Sequence, residues 1–363
     1  MMTPHSKKKF ATLRKWNRNK NYFIKTLRMR LAKLVWDYRT RKPFSLQDLH
    51  KVLLLRDDDK IGDMVVSTSL IRELANNGYK VDVLATPMNL SVIRYNPNVR
   101  KIHLTSSPNI TADLKSENYD LVIDMGDKIS PRSLKFLRHI QGKNVIGFNK
   151  QQYNIYNKSI VYSGYESHIT ERYAVLMRSM NLSNFSTNYD LHYPESLTQE
   201  AQTFLKGLGY EKFILINPFA ADLRREFSSM QLNEVLSSLR YLYPETAIIV
   251  LDHLSRIELE LPTGVFINPF NTIPSVTALI SQVDLVISPD TSIVHIAATF
   301  NKPLIALYGN DLHGKYVNSD VWAPGYVNAI QLRTEDKYHP VSTIAVTTIV
   351  EAVSEMSKGI LIK

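Results

Sequence analysis

From Val52 onward, short continuous apolar runs alternate with longer stretches of helical spacing. Val52-Leu-Leu-Leu55 is the first such run, and its length suits a strand buried on both faces of a parallel sheet. The pattern then predicts a helix over 65–74, with Gly78 as its C′ residue, a strand over 80–85, a helix over 87–95 and a strand over 99–104. Strands at 119–124 and 144–148 flank a predicted helix at 130–139. Residues 150–194 lose the strand pattern; one helix is expected at 167–180, and the polar stretch 181–194 is read as an interdomain connection. The alternation resumes with strands at 213–218, 247–251, 265–268, 284–288 and 303–308, and helices at 229–242, 274–283, 292–300 and 341–356. Strands alternating with helices imply a doubly wound α/β sheet, and 363 residues exceed what one core usually supports. The expected division is an extension at 1–47, α/β domains at 48–190 and 191–340, and a terminal helical segment at 341–363.

The extension breaks this pattern. Residues 1–42 hold 14 Lys and Arg against one acid, Asp37, while the other 321 residues hold 30 basic and 33 acidic side chains. The net charge of +10 therefore belongs to the extension. Phe23, Leu27, Leu31, Leu34, Val35 and Tyr38 recur at three- and four-residue spacings, with Trp16 and Trp36 nearby. Such a basic amphipathic helix suits an anionic membrane surface, or it packs its apolar stripe on the protein's own body. No nucleic-acid motif accompanies the charge. No run approaches the ~20 apolar residues of a spanning helix, and charges interrupt every apolar run before Leu53, unlike a secretory signal. The absence of cysteine excludes disulfides, thiol nucleophiles and thiolate metal sites, and fits a reducing cytoplasm.

Two strand-to-helix turns carry candidate chemistry. The first runs from Arg56 through Asp57-Asp58-Asp59-Lys60-Ile61-Gly62 to Asp63. It lies where open α/β sheets bind ligands, beyond a strand's carboxyl end. Gly62 is expected to allow a tight turn and close approach of a substrate. Asp63 then stands at the helix start, either as an N-cap or as an ionised base favoured by the helix dipole. Three consecutive carboxylates do not converge on one ion in most backbone conformations. The run is read as one acid paired with Arg56 or Lys60 and the rest solvated, not as a metal site.

The second turn, Ser288-Pro289-Asp290-Thr291-Ser292, precedes His295. Pro289 cannot extend the sheet ladder, and a helix starting at 291–292 offers N–H groups and a positive dipole end to phosphate. Asp290 would repel phosphate and is better placed to accept sugar hydroxyls, leaving phosphate to Thr291 and Ser292; alternatively the turn is only a cap. His295 is open to a core or a ligand-contact reading. Asn217 ends a strand in the same half, and Arg224 and Arg225 follow it, suited to a diphosphate or else solvated.

Together these segments resemble the family 9, heptosyltransferase-type glycosyltransferases, whose known members build the lipopolysaccharide inner core. The resemblance rests on Arg56-x-x-Asp59-Lys60-Ile61-Gly62-Asp63-x-Val65-x-Ser67-Thr68, on Asn217-Pro218 with Arg225-x-Phe227, and on Asp290-Thr291, His295-x-Ala297-Ala298, Lys302-Pro303 and Leu307-Tyr308-Gly309. It spans roughly residues 50–355. Ser292 stands where the family has glycine, Arg225 where it has lysine and Phe227 where it has tryptophan, and the basic extension lies outside the common core.

The resemblance implies a GT-B fold, with two Rossmann-like domains facing a cleft and the last helix returning to the first domain. It implies inverting, metal-independent transfer of heptose from ADP-L-glycero-D-manno-heptose to a lipid-linked core acceptor, with no cofactor, at the inner face of the inner membrane. By motif match, Asp63 is the base. Asn217, Arg224, Arg225, Asp290, Thr291, Ser292 and His295 hold the donor, and Arg56, Lys60 and Gly62 face the acceptor. A relative acting on another nucleotide sugar, as transferase or epimerase, and a non-catalytic member binding lipid or protein are the alternatives.

Overall fold

The computed structural model describes residues 4–361 except 165, 253, 259, 314 and 315, and the side chains of these from residue 16 onward except 312 and 313. The basic residues Lys7, Lys8, Lys9, Arg14 and Lys15 of the extension therefore have side chains outside the described set. Two parallel six-stranded sheets carry the chain. The first holds β1 (Lys51–Arg56), β2 (Lys80–Ala85), β3 (Val99–Leu104), β4 (Leu121–Asp124), β5 (Asn144–Phe148) and β6 (Lys158–Ile160), in the order β3-β2-β1-β4-β5-β6. The second holds β7 (Lys212–Ile216), β8 (Thr246–Val250), β9 (Val265–Ile267), β10 (Leu285–Pro289), β11 (Leu304–Tyr308) and β14 (Ala329–Arg333), in the order β14-β11-β10-β7-β8-β9. A small hairpin, β12 (Leu312–His313) with β13 (Tyr316–Val317), precedes β14. In each sheet the order reverses beside the first strand, the doubly wound arrangement that the βα alternation implies. Leu53 and Leu54 are fully buried, as are Val286 and Ile287 of β10, in keeping with continuous apolar runs in doubly covered strands.

The helices are α1 (Pro4–Trp36), α2 (Ile61–Asn76), α3 (Leu90–Ile93), α4 (Ile110–Ser116), α5 (Pro131–Ile140), α6 (Ile169–Ser179), α7 (Glu195–Gly207), α8 (Ser229–Leu242), α9 (Ile273–Gln282), α10 (Ser292–Thr299), α11 (Asn318–Val321) and α12 (Val346–Met356). The strands β6 and β14 and the helices α4 and α7 were not expected. In α7 only Ala201 and Leu205 are buried, a stripe too thin to stand out in sequence. The helix expected over 87–95 is a single turn, α3.

The chain forms two compact units that interleave along the sequence. One comprises Met1–Asp57, Asp82–Leu84 and His103–Tyr162; the other comprises Asp58–Val81, Ala85–Ile102 and Ser163–Lys363. Helix α2 thus groups with the second unit, although β1 groups with the first. The expected return of the last helix to the first domain is corrected: Ile349, Ala352 and Val353 of α12 are buried in the second sheet's core with Leu232, Val235 and Leu239 of α8.

In the first unit α1 packs on the core through Met29, Ala32 and Trp36. The stripe singled out in sequence points elsewhere: Phe23, Leu34 and Tyr38 are 67 %, 72 % and 63 % exposed, and Leu27, Leu31 and Val35 are exposed as well. The reading in which this stripe packs on the protein's own body is therefore wrong. A second, smaller apolar face does that work. The helix end is pinned by Asp37, whose carboxylate accepts from the amides of Asn154 (2.9 Å) and Ile155 (2.6 Å). Among the described residues no helix is long and apolar enough to cross a membrane.

Candidate active site

The carboxyl ends of β7 and β10, neighbours in register from Leu285 opposite Ile214, build the core of the site. Asn217 follows β7 and donates its side-chain amide to Ser288 Oγ and Thr291 Oγ1, each at 3.1 Å. Ser288 Oγ also lies 3.1 Å from Thr291 Oγ1. Thr291 is the N-cap of α10 and accepts from Ile293 N at 3.2 Å. This polar triangle satisfies groups that strand burial would otherwise leave unpaired. It also engages the Asn217 amide and the Thr291 hydroxyl within the turn itself.

Asp290 lies beside this turn. Arg225 Nη1 stands 3.1 Å from its Oδ2, and Asn318 Nδ2 donates to the same oxygen at 2.9 Å. Burial pushes the Asp290 carboxyl up to about 6 against the opposing pull of Arg225 and Asn318, with Asp311 adding to the rise. Arg225 ends a short 3-10 turn, Leu223–Arg225, capped by Asp222 Oδ1 accepting from Arg224 N at 3.0 Å. The loop is held by Glu226, which takes Arg256 on both oxygens (2.9 and 2.7 Å) and accepts from Ala220 N. Arg224 turns away, donating to Lys337 O at 2.6 Å and lying 3.5 Å from Asp311. Of the two adjacent cations, only Arg225 meets Asp290.

Asp63 belongs to the same unit. The cap of α2 is Lys60, in extended backbone, and Asp63 lies in the first helical turn rather than at the cap. Its Oδ2 lies 3.7 Å from Lys60 Nζ. The turn before the helix is made by Asp59, at φ +55°, and Lys60 N donates to Asp58 Oδ1 at 3.4 Å. Gly62 is itself helical, so the tight-turn role expected of it falls to Asp59. Gly62 instead faces α10, where a Cβ would stand 3.4 Å from His295 Cδ2 and 3.8 Å from Ser292 Cα, in ordinary contact. Ser67 and Thr68 of the same motif tie α2 down, through Tyr173 Oη at 2.9 Å and Asp190 N at 2.8 Å. Arg56 is the buried last residue of β1.

His295 is buried in this helix contact rather than open to a ligand. Its Nδ1 lies 3.3 Å from Tyr189 Oη, and its ring meets the edges of Tyr189 and Trp322. Burial and nearby His168 push its pKa down to about 4, with Asp63 pulling the other way. It is a neutral packing residue next to the candidate base, which corrects its donor-contact assignment.

Sequence reasoning missed Asn318, Asp311 and Tyr189. Asn318 and Asp311 sit in a segment without periodicity, and Tyr189 lies in the stretch read as a connector, so no local signal marked them. A separate cluster in the first unit, Asp82, His103 and Glu117, has candidate metal-ligand atoms within 4.8 Å of one another. These groups are already engaged, since Tyr119 Oη donates to Asp82 at 2.7 Å and lies 2.8 Å from His103 Nε2, while Lys51 pairs with Glu117 at 3.0 Å.

Two parallel six-stranded sheets, with an acid–arginine pair at a strand-to-helix turn of the second, have the GT-B architecture of the solved structures they resemble. More specifically, the chain belongs to glycosyltransferase family 9 (heptosyltransferase), whose model matches residues 109–338. It is 24 % identical over 360 residues to a protein of Escherichia coli provisionally named lipopolysaccharide heptosyltransferase 4, covering 94 % of this chain and 97 % of that one. It is 24 % identical over 298 residues to lipopolysaccharide heptosyltransferase 3 of Escherichia coli, covering 74 % and 84 %. Among solved structures it resembles a family 9 glycosyltransferase from Veillonella parvula, with TM-score 0.73, 15 % identity and coverage of 88 % and 100 %. The ADP-heptose lipopolysaccharide heptosyltransferase II of Escherichia coli gives TM-score 0.68 at 16 % identity, covering 86 % and 99 %.

Proposed function

We propose that this enzyme transfers heptose from ADP-L-glycero-D-manno-heptose to a lipid-linked lipopolysaccharide core acceptor, with inversion and without a metal. The observation that carries the reading is the packing of α2 on α10, which joins Asp63 and the Asp290–Arg225 turn in one compact unit. A base and a donor grip on a single rigid support can hold a near-attack geometry.

Asp63 takes the proton of the acceptor hydroxyl as that oxygen attacks the anomeric carbon from the face opposite the diphosphate. Arg225, with the Thr291 and Ser292 amides at the start of α10, meets the charge growing on the departing ADP. Asp290, aligned by Arg225 and Asn318, receives the heptose hydroxyls. Asn217 holds the turn in shape. Lys60 faces the acceptor. The exposed basic stripe of α1 docks on the anionic inner face of the inner membrane, where such an acceptor resides.

Incubation with ADP-heptose, and separately with UDP-sugars, with and without lipooligosaccharide acceptor, tests this. ADP release that depends on acceptor is expected. Turnover of a UDP-sugar with none of ADP-heptose overturns the donor assignment. Asp63→Asn is expected to lower kcat about 10²–10⁴-fold, the usual contribution of a general base, with donor binding retained by calorimetry. Wild-type turnover in that variant removes Asp63 from the mechanism.

A further inference from the structure

The first unit holds a cavity of about 450 Å³ at the foot of α1. Arg39, Lys42, Arg138 and Lys143 line it, with Trp36 and the acid Asp37. Asp37 keeps its negative charge, its two oxygens accepting the Asn154 and Ile155 amides, and so offsets one of the four cations. Lys143 pairs with Asp120 at 2.6 Å. Among the described residues Arg39, Lys42 and Arg138 form no salt bridge. Two of these cations converge on one phenol: Arg138 Nη2 donates to Tyr38 Oη at 3.2 Å, and the guanidinium groups of Arg39 and Arg138 lie 5.9 and 5.3 Å from the Tyr38 ring centre. Both cations hold the Tyr38 hydroxyl below its usual pKa. Like charges gathered around a concave wall repel one another, and an anion between them removes that cost.

The position matters as much as the charge. Gln141, Gly142 and Lys143 lead into β5, so the cavity lies at the amino edge of a parallel sheet. Arg56 closes β1 at the opposite, carboxyl edge, where open α/β sheets bind their substrates. The cavity thus lies on the opposite edge of this sheet from Arg56 and shares no residue with the candidate transferase site. It adjoins instead the end of the exposed stripe of Leu31, Leu34 and Val35 on α1.

We propose that this cavity binds a phosphate group, that of an anionic phospholipid head, while the α1 stripe lies among the acyl chains. The planar forks of Arg39 and Arg138 and the point charges of Lys42 and Lys143 meet the phosphate oxygens. The phosphate chemistry stands on the cavity alone; only its lipid source rests on the membrane-docking reading.

The test uses the full chain, with inorganic phosphate in thermal unfolding and flotation with vesicles of phosphatidylcholine, with or without phosphatidylglycerol. Phosphate is expected to raise the Tm of the wild type saturably, and not that of Arg39→Gln with Arg138→Gln. The control Arg18→Gln with Lys25→Gln removes equal charge from α1 outside the cavity and is expected to keep that protection. On phosphatidylglycerol vesicles the cavity variant should bind about tenfold more weakly than the control, the size of one charge-assisted contact. Equal behaviour of the two double variants overturns the site in favour of diffuse electrostatics. Protection by phosphate without vesicle binding by the wild type overturns the lipid source and leaves the phosphate site standing. If the Gln variant fails to fold, Arg39→Lys with Arg138→Lys keeps the charge and removes the forks; undiminished phosphate protection in it overturns the proposal.

Discussion

Asp290 and His295 show how burial gives two titratable groups opposite consequences. The Asp290 carboxyl is raised to about 6, so the folded state holds an extra proton between roughly pH 4 and 6. From this group alone, stability is greatest below pH 4 and falls as pH rises through 6. His295 is lowered to about 4, so the unfolded chain takes up its proton first, near pH 6.5. Its contribution is complete above pH 6.5 and is lost as pH falls through 4. His295→Gln removes only the second effect. Urea unfolding at pH 7 and pH 4.5 should therefore show a smaller acid-side loss in the variant, and equal losses would deny His295 this role. For Asp290 the expected readout is catalytic. If its carboxylate receives the sugar, kcat/KM of the wild type declines below about pH 6. Asp290→Asn should lack that limb and run about 10²-fold slower throughout. An unchanged limb in the variant would assign it to another group.

At the scale of elements, the decisive contact is α2 on α10. Gly62 lies in it without a special backbone angle, and a single methyl at that position meets His295 at an ordinary van der Waals distance. Gly62→Ala is expected to keep or raise Tm, since alanine favours the helix by up to about 1 kcal/mol. Gly62→Leu, whose branches would enter the His295 ring, should lower it, and an unperturbed Tm in the leucine variant would show that the helices do not pack closely there. Helix α1 divides its two faces differently from what its spacing suggests. Ala32 is buried against the first unit's core, while Leu31 and Leu34 are exposed. Ala32→Glu is expected to destabilise by the cost of burying an unpaired charge or detaching the helix. Leu31→Ser should stay within about 0.5 kcal/mol. Comparable losses in chemical denaturation would mean that the stripe, too, is packed.

Across the whole molecule, sequence and tertiary structure contributed at different ranges. The strand-to-helix turns at 56–63 and 288–292, the parallel α/β class and the separation of a basic extension from a nearly neutral body were all legible in the chain. Each depends on residues a few positions apart: a continuous apolar run makes a doubly covered strand, and a proline or an acid ends it. Even Thr291 as a helix cap follows from its neighbours. The partners of those turn residues were not legible. Nothing near Asp290 in sequence marks Asn318 as a ligand of its carboxylate, nor indicates which of Arg224 and Arg225 would reach it. Likewise His295 reads as either core or contact until Tyr189 and Trp322 close around it. On α1 both candidate faces carry apolar residues, and only docking against α5 and Asp37's grip on the loop before β6 decide which one meets water. Periodicity reports that a face exists. Burial of that face depends on the rest of the chain arriving beside it, and this information lies at separations where no local pattern reaches.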